Sequence, residues 1–231
     1  MASSSPPLIA IPAALCTGAL YPRLDEMAAG SAARVIIPRG AGVGDCATEV
    51  LRLAPGSFLL LGTSWGAQIA LEVALRAPDR VEGLCLIGVN AGQHPNPAGV
   101  AELANCMPGS FDATVEEFAN ECIHAPADTG GYVRRTFVAM AGETGPSQFA
   151  DQLRALGQRP DRQDRLGDLT MPVLLLWGEQ DRVTPLERAR PFVEQAPSCD
   201  LKTIANCGHL PTLEQPDAAA VAFRTWRSGV G

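Results

Sequence analysis

The chain has 231 residues, 46% of them hydrophobic and 19% charged, and its 25 acidic and 18 basic side chains leave a formal net charge of −7. That length suits one domain able to bury a full core, and the composition excludes both a disordered chain and a membrane-spanning one. The negative balance repels phosphate backbones and anionic lipid surfaces, so neither nucleic acid nor a membrane is an expected partner.

Met1 to Pro7 carry no basic residue ahead of the apolar stretch Leu8 to Leu15, which Pro12 interrupts. A secretory signal fits this poorly, and a cytoplasmic location is expected. Apolar runs at Leu8 to Ile11, Arg34 to Ile37, Phe58 to Leu61, Leu84 to Ile87 and Val173 to Trp177 predict strands, with a weaker sixth at Leu201 to Ile204. They lack in-out alternation, as strands covered by helices on both faces do, and therefore predict a mostly parallel sheet. Between them lie helical stretches such as Ala67 to Arg76, which Pro78 closes. Strand and helix alternate, giving an α/β fold class with about six strands flanked by helices.

The alternation stops between Gly92 and Gly167. Phe111, Val115, Phe118, Cys122 and Ile123 fall on one face of a helix, with Thr114 and Glu117 in capping-box spacing early in it. Tyr132, Thr136, Phe137 and Met140 mark a second helix, and Phe149, Leu153 and Leu156 a third after Pro146. The expected organisation is a core of residues 1–92 and 167–231 with a helical insertion at 93–166. That insertion is either extra core or a lid that shapes a pocket and limits water access. Apart from the Ala2 to Pro7 tail there is no low-complexity tract and no internal repeat.

Gly62-Thr63-Ser64-Trp65-Gly66 stands directly between the strand ending at Leu61 and the helix beginning near Ala67. A nucleophile on such a strand-to-helix turn is held in an unusual backbone conformation, and flanking glycines let neighbouring backbone pass close by. The Ser64 hydroxyl also sits near a helix N-terminus, which favours developing negative charge. A serine needs a base, and the base needs a group to fix its tautomer. Of the three histidines, His94 lies in a Pro/Asn segment and His124 follows an insertion helix, whereas His209 follows the strand Leu201 to Ile204. His209 is the preferred base. The acid is Asp181 in the turn after Val173 to Trp177, with Glu179 as runner-up. All three chosen residues occupy carboxyl ends of strands, where active sites of parallel sheets gather. Ser64 Oγ is expected within hydrogen-bond reach of the His209 ring, and Asp181 at the other ring nitrogen, with Glu179 or Asp168 as the carboxylates that would displace it.

With that elbow and the order Ser, Asp, His, the sequence resembles the α/β-hydrolase superfamily over nearly its whole length. Ala77-Pro78-Asp79-Arg80-Val81 resembles the segment that follows the elbow helix, and Gly208-His209 with Glu214-Gln215-Pro216 resembles the histidine loop. The resemblance implies a Ser64, Asp181, His209 triad, an oxyanion hole of the Trp65 and Ala14 backbone amides, and no cofactor or metal. Pro12-Ala13-Ala14-Leu15-Cys16 departs from it in carrying Ala13 where that loop has glycine, and antiparallel strands that often precede the first strand are not expected. Seven cysteines without metal-ligand spacing predict core residues or free thiols, with Cys16 in the pocket wall rather than a nucleophile. Trp65 either narrows the pocket or packs under the lid. The implied activity is hydrolysis of a small-molecule acyl substrate, a carboxylic ester first and a lactone or thioester next. Perhydrolysis, carbon-carbon bond hydrolysis, acyl transfer and non-catalytic ligand binding are the other uses of such a site. Oligomeric state is not legible.

Overall fold

Six strands form one parallel sheet: β1 (Leu8–Ile11), β2 (Ala33–Val35), β3 (Phe58–Thr63), β4 (Val81–Ile87), β5 (Val173–Gly178) and β6 (Cys199–Ile204), in the order β2-β1-β3-β4-β5-β6. The computed structural model describes residues 5–230, so residues 2–4 of the N-terminal tail lie outside it. Consecutive residues of the inner strands are buried on opposite sides of the sheet. Leu59, Leu61, Cys85, Ile87, Leu174 and Leu176 pack on one side, and Phe58, Leu60, Leu84, Leu86, Val173 and Leu175 on the other. This double coverage is why the runs read as continuously apolar.

The first side is covered by α1 (Leu24–Ala28) and by α8 (Pro216–Arg227), whose Phe223 and Trp226 belong to that core. The second is covered by α2 (Val43–Leu53), α3 (Trp65–Arg76) and α6 (Arg190–Gln195), and the short α7 (Pro211–Glu214) precedes α8. β6 is an edge strand whose Asp200 to Thr203 side chains are exposed, which accounts for its weak hydrophobic signal.

Between β4 and β5 lie α4 (Pro97–Cys122) and α5 (Tyr132–Gly157), packed against one another. The capping-box reading of Thr114 and Glu117 is corrected: α4 starts at Pro97, where Asn96 Oδ1 accepts from Gly99 N at 3.0 Å. Thr114 lies mid-helix and its hydroxyl donates to Ser110 O at 2.9 Å. The true start is an Asn-Pro pair, equally sound as a cap but lying before a stretch of weaker periodicity. α5 breaks at Gly145 (φ 72, ψ 166), just before Pro146, so the second and third helices anticipated there are two helices that meet at this kink. Among the described residues no helix is long and apolar enough to cross a membrane.

Candidate active site

At the end of β3 the chain turns directly into α3 through Ser64, which has φ 52 and ψ −111. A non-glycine residue in such a region costs about 1–3 kcal/mol and persists only where its surroundings over-determine it. Here they do. Ser64 N donates to Ile87 O at 2.8 Å, and Ser64 O accepts from both Ala67 N and Gln68 N. A Cβ on Gly66 would lie 2.1 Å from Ile11 O and 2.5 Å from Pro12 O, so only glycine allows the first turn of α3 to rest on the end of β1. That close approach sets Ala13 and Ala14 in the same cavity wall as Ser64.

His209 enters from the loop after β6. Its Nδ1 lies 2.7 Å from Asp181 Oδ2, and both side chains are only 2% exposed. Asp181 Oδ1 meanwhile accepts from Val183 N (2.9 Å) and Thr184 N (2.8 Å), which orients the carboxylate before the imidazole reaches it. An ionised carboxylate accepts only, so Nδ1 carries the proton and Nε2 is left with its lone pair. The two other carboxylates considered stand elsewhere: Glu179 is exposed and accepts from Thr203 Oγ1, and Asp168 pairs with Arg165 on the surface. His124 contributes its backbone N–H to Glu214, and His94 lies farther along the cavity wall.

One expected contact is missing. Nε2 of His209 is buried and has no hydrogen-bond partner among the described residues, so the bond from Ser64 Oγ is not made. The serine hydroxyl turns on a single staggered torsion, and bonds of this kind are often long or misaligned until substrate is bound. Ser64 and His209 nevertheless line one cavity of about 290 Å³. Its far wall comes from α4 and α5, through Val100, Leu103, Phe118, Phe137, Leu153 and Leu156. An apolar cleft with a few convergent polar groups is the usual form of a small-molecule site.

A profile of the alpha/beta hydrolase family matches residues 12–222. The chain belongs to the alpha/beta hydrolase family. It is 29% identical over 180 residues to the pimeloyl-(acyl-carrier protein) methyl ester esterase of Neisseria meningitidis serogroup A, a match covering 74% of this chain and 57% of that protein. This chain thus spans little more than half the length of that relative. The protein of the same name from Nitrosomonas europaea is 28% identical over 210 residues, 82% of each chain. Among solved structures, a thermophilic esterase from Thermogutta terrifontis superposes with a TM-score of 0.83 at 24% identity, covering 99% of this chain and 91% of that one. The enol-lactonase of Burkholderia xenovorans gives 0.82 at 15% identity, covering 98% and 92%. At these identities the structural likeness establishes the fold alone.

In this alpha/beta hydrolase the site has further supports, of which only Glu214 lies in a segment the sequence singled out. Gly88, just past β4, has φ 57, and a Cβ there would lie 2.6 Å from His209 Cε1 and 2.9 Å from Nδ1. Glu214 accepts three backbone N–H groups, from Gly208 (2.9 Å), Leu210 (2.9 Å) and His124 (2.8 Å). Its carboxylate therefore holds the chain on both sides of His209 and ties that loop to the end of α4. The buried Tyr21 hydroxyl donates to Ile11 O at 2.7 Å and lies 3.0 Å from Thr63 Oγ1, joining the end of β1 to the elbow. Burial pushes its phenol far above the ordinary range, so it remains a donor.

The left-handed backbone in the segment after β1 falls at Leu15 (φ 63), not at Ala13, and the missing glycine at position 13 imposes no strain of that kind. Leu15 N donates to Gln152 Oε1 of α5 at 3.1 Å. Trp65 is the first residue of α3, where backbone N–H groups have no acceptor within the helix. Its indole is 2% exposed and borders a separate cavity beside Gln148 and Gln152, so it packs under α5 and does not narrow the main cavity. Cys16 is fully buried, and burial raises its thiol pKa far above the ordinary value, which removes the thiolate a nucleophile requires.

Proposed function

We propose that the protein is a carboxylic ester hydrolase acting through an acyl-enzyme on Ser64. The observation that carries this reading is the buried Asp181–His209 pair, whose second ring nitrogen is free of partners and which shares its cavity with a serine on a strained turn. In the proposed reaction, His209 Nε2 takes the Ser64 proton as Oγ attacks the ester carbonyl, and Asp181 stabilises the imidazolium. The tetrahedral oxyanion accepts from the backbone amides of Trp65 and Ala14. Collapse transfers the proton to the departing alkoxide and leaves the acyl group on Ser64. Water, deprotonated by His209, then attacks that acyl group, and a second collapse returns the serine and releases the carboxylic acid.

The helices α4 and α5 act as the lid of this site. Their apolar side chains line the cavity opposite Ser64 and exclude water from the acyl-enzyme. The names of the relatives favour a methyl ester of a longer acyl chain as the first substrate class, ahead of a lactone or thioester. The test is turnover of p-nitrophenyl esters and thioesters of graded chain length by the wild type and by Ser64→Ala. A fall of roughly three orders of magnitude or more in the variant is expected. Equal rates in the two proteins would remove Ser64 from the mechanism, and silence in both, alongside tight ligand binding, would favour a receptor.

A further inference from the structure

The cavity that Ser64 borders also contains two arginines with no ion-paired carboxylate among the described residues. Arg159 follows α5 and is buried to 8% exposure. Its Nε donates to Gly92 O at 2.9 Å and Nη2 to Gln93 O at 3.3 Å, so the guanidinium is pinned between the two ends of the helical insertion. Nη1 has no described partner. Arg188 reaches the same cavity from the 3-10 turn Leu186–Ala189, which follows the loop holding Asp181. Among the described residues no carboxylate lies within ion-pair distance of either guanidinium. Glu121, the acidic side chain in this wall, is exposed at the end of α4 and is joined to neither.

This arrangement is costly for the protein alone. Burial first, and the nearby charge of Arg188 second, together lower the Arg159 pKa to about 10. A desolvated cation beside a second cation gains from any anion that enters, and an anchored planar fork suits the two oxygens of a carboxylate. His94 adds a donor to the wall. Its Nδ1 accepts from Asn96 N at 3.1 Å, which places its proton on Nε2, and burial and Arg159 keep the ring neutral. Gln68, Asn90, Thr184 and Glu121 also border the cavity, but the side chains that α4 and α5 place in it are mostly apolar, so an acyl channel lies beside the cationic pair. In a chain of net charge −7 that local sign is opposite to the global one.

We infer that the natural substrate carries a free carboxylate remote from the scissile ester, received by Arg159 and Arg188; this rests on the proposed Ser64 chemistry for its identity as an ester. The decisive comparison is kcat/KM for the monomethyl esters of succinate, glutarate and adipate against the methyl esters of matched monocarboxylic acids. A parallel series places the carboxylate on the alcohol side. In one series the anionic ester should be preferred by about tenfold at low salt, as one charge-assisted contact would give. Arg188→Gln should bring that preference ratio toward one, and Arg188→Lys should keep most of it. The exposed Arg188 is the variant of choice because the buried Arg159 also supports the fold. Binding of glutarate and adipate to Ser64→Ala provides a readout independent of turnover, with Arg188→Gln expected to weaken it about tenfold. Ester turnover that survives Ser64→Ala would overturn the mechanism while leaving the dicarboxylate binding to decide the carboxylate site. Neutral esters preferred in both series, or dicarboxylate affinity unaltered by Arg188→Gln, would overturn the inference.

Discussion

The imidazole of His209 fits against backbone where only a glycine can stand. Gly88 combines a left-handed φ of 57 with a missing Cβ that would otherwise lie 2.6 Å from His209 Cε1 and 3.4 Å from Asp181 Oδ2. In Gly88→Ala either the ring or the turn after β4 must move. A displacement near 1 Å of a catalytic group can reduce a rate about 100-fold. We expect kcat on a p-nitrophenyl ester to fall by roughly that factor, with the fold retained by circular dichroism. A rate within about twofold of wild type would show that the ring has room the geometry denies. At this scale the sequence exposed Ser64 and His209, because each lies in a short motif at a strand end. It did not expose Gly88, whose importance lies in contacts to residues far along the chain, and it placed Glu214 in the histidine loop without showing which backbone groups its carboxylate holds.

Among the elements, α3 carries the burden of fixing the elbow, and its anchor at the opposite end is Glu72. This side chain is 4% exposed and accepts from Arg76 Nε at 2.6 Å and Arg162 Nε at 2.8 Å, linking α3 to the segment after α5. Burial opposes its ionisation, but the bonds from Arg162 and Arg76 outweigh it and hold the carboxyl below its usual range. A folded-state pKa below the unfolded one adds stability that is present above the unfolded value, near 4.3, and is lost as pH falls through the folded value. Glu72→Gln should therefore cost roughly 1–3 kcal/mol at pH 7, since the arginines are partly exposed and recover some hydration. That deficit should shrink in denaturant titrations carried down to about pH 3. A deficit independent of pH would assign the effect to shape and not to charge. The insertion helices α4 and α5 show the complementary lesson. Their apolar faces and the break at Pro146 were legible, but the Asn96–Pro97 start was not, because it lies ahead of the clearest apolar periodicity.

For the whole molecule, the sheet order makes strand position count for more than strand composition. Leu60 in β3 is fully buried, whereas Leu201 in the edge strand β6 is 36% exposed. Leu60→Ala should lose about 2–5 kcal/mol by removing buried methyls and leaving a cavity. Leu201→Ala should lose about 1 kcal/mol or less, as surface substitutions do. Urea titrations of the two variants check this, and equal losses would contradict the strand order. The same order brings the ends of β3, β5 and β6 to one rim, where Ser64 and His209 border the cavity under α4 and α5 and Asp181 stands behind His209.

The sequence by itself determined the parallel α/β sheet, the elbow at Ser64 and the placement of Asp181 and His209 after strands. Each of these is written within about ten residues, in apolar runs, glycines and turn residues whose local preferences agree with the final fold. The preference for Asp181 over Glu179 was also legible, and the structure pairs Asp181 with His209; tertiary structure alone decided that Trp65 turns away from the main cavity and that Leu15 carries the left-handed backbone after β1. It also decided that Arg159 and Arg188 stand together with no ion-paired carboxylate among the described residues. Such features depend on groups distant in the chain, and no local periodicity or turn preference encodes which of them the packed core will bring into contact.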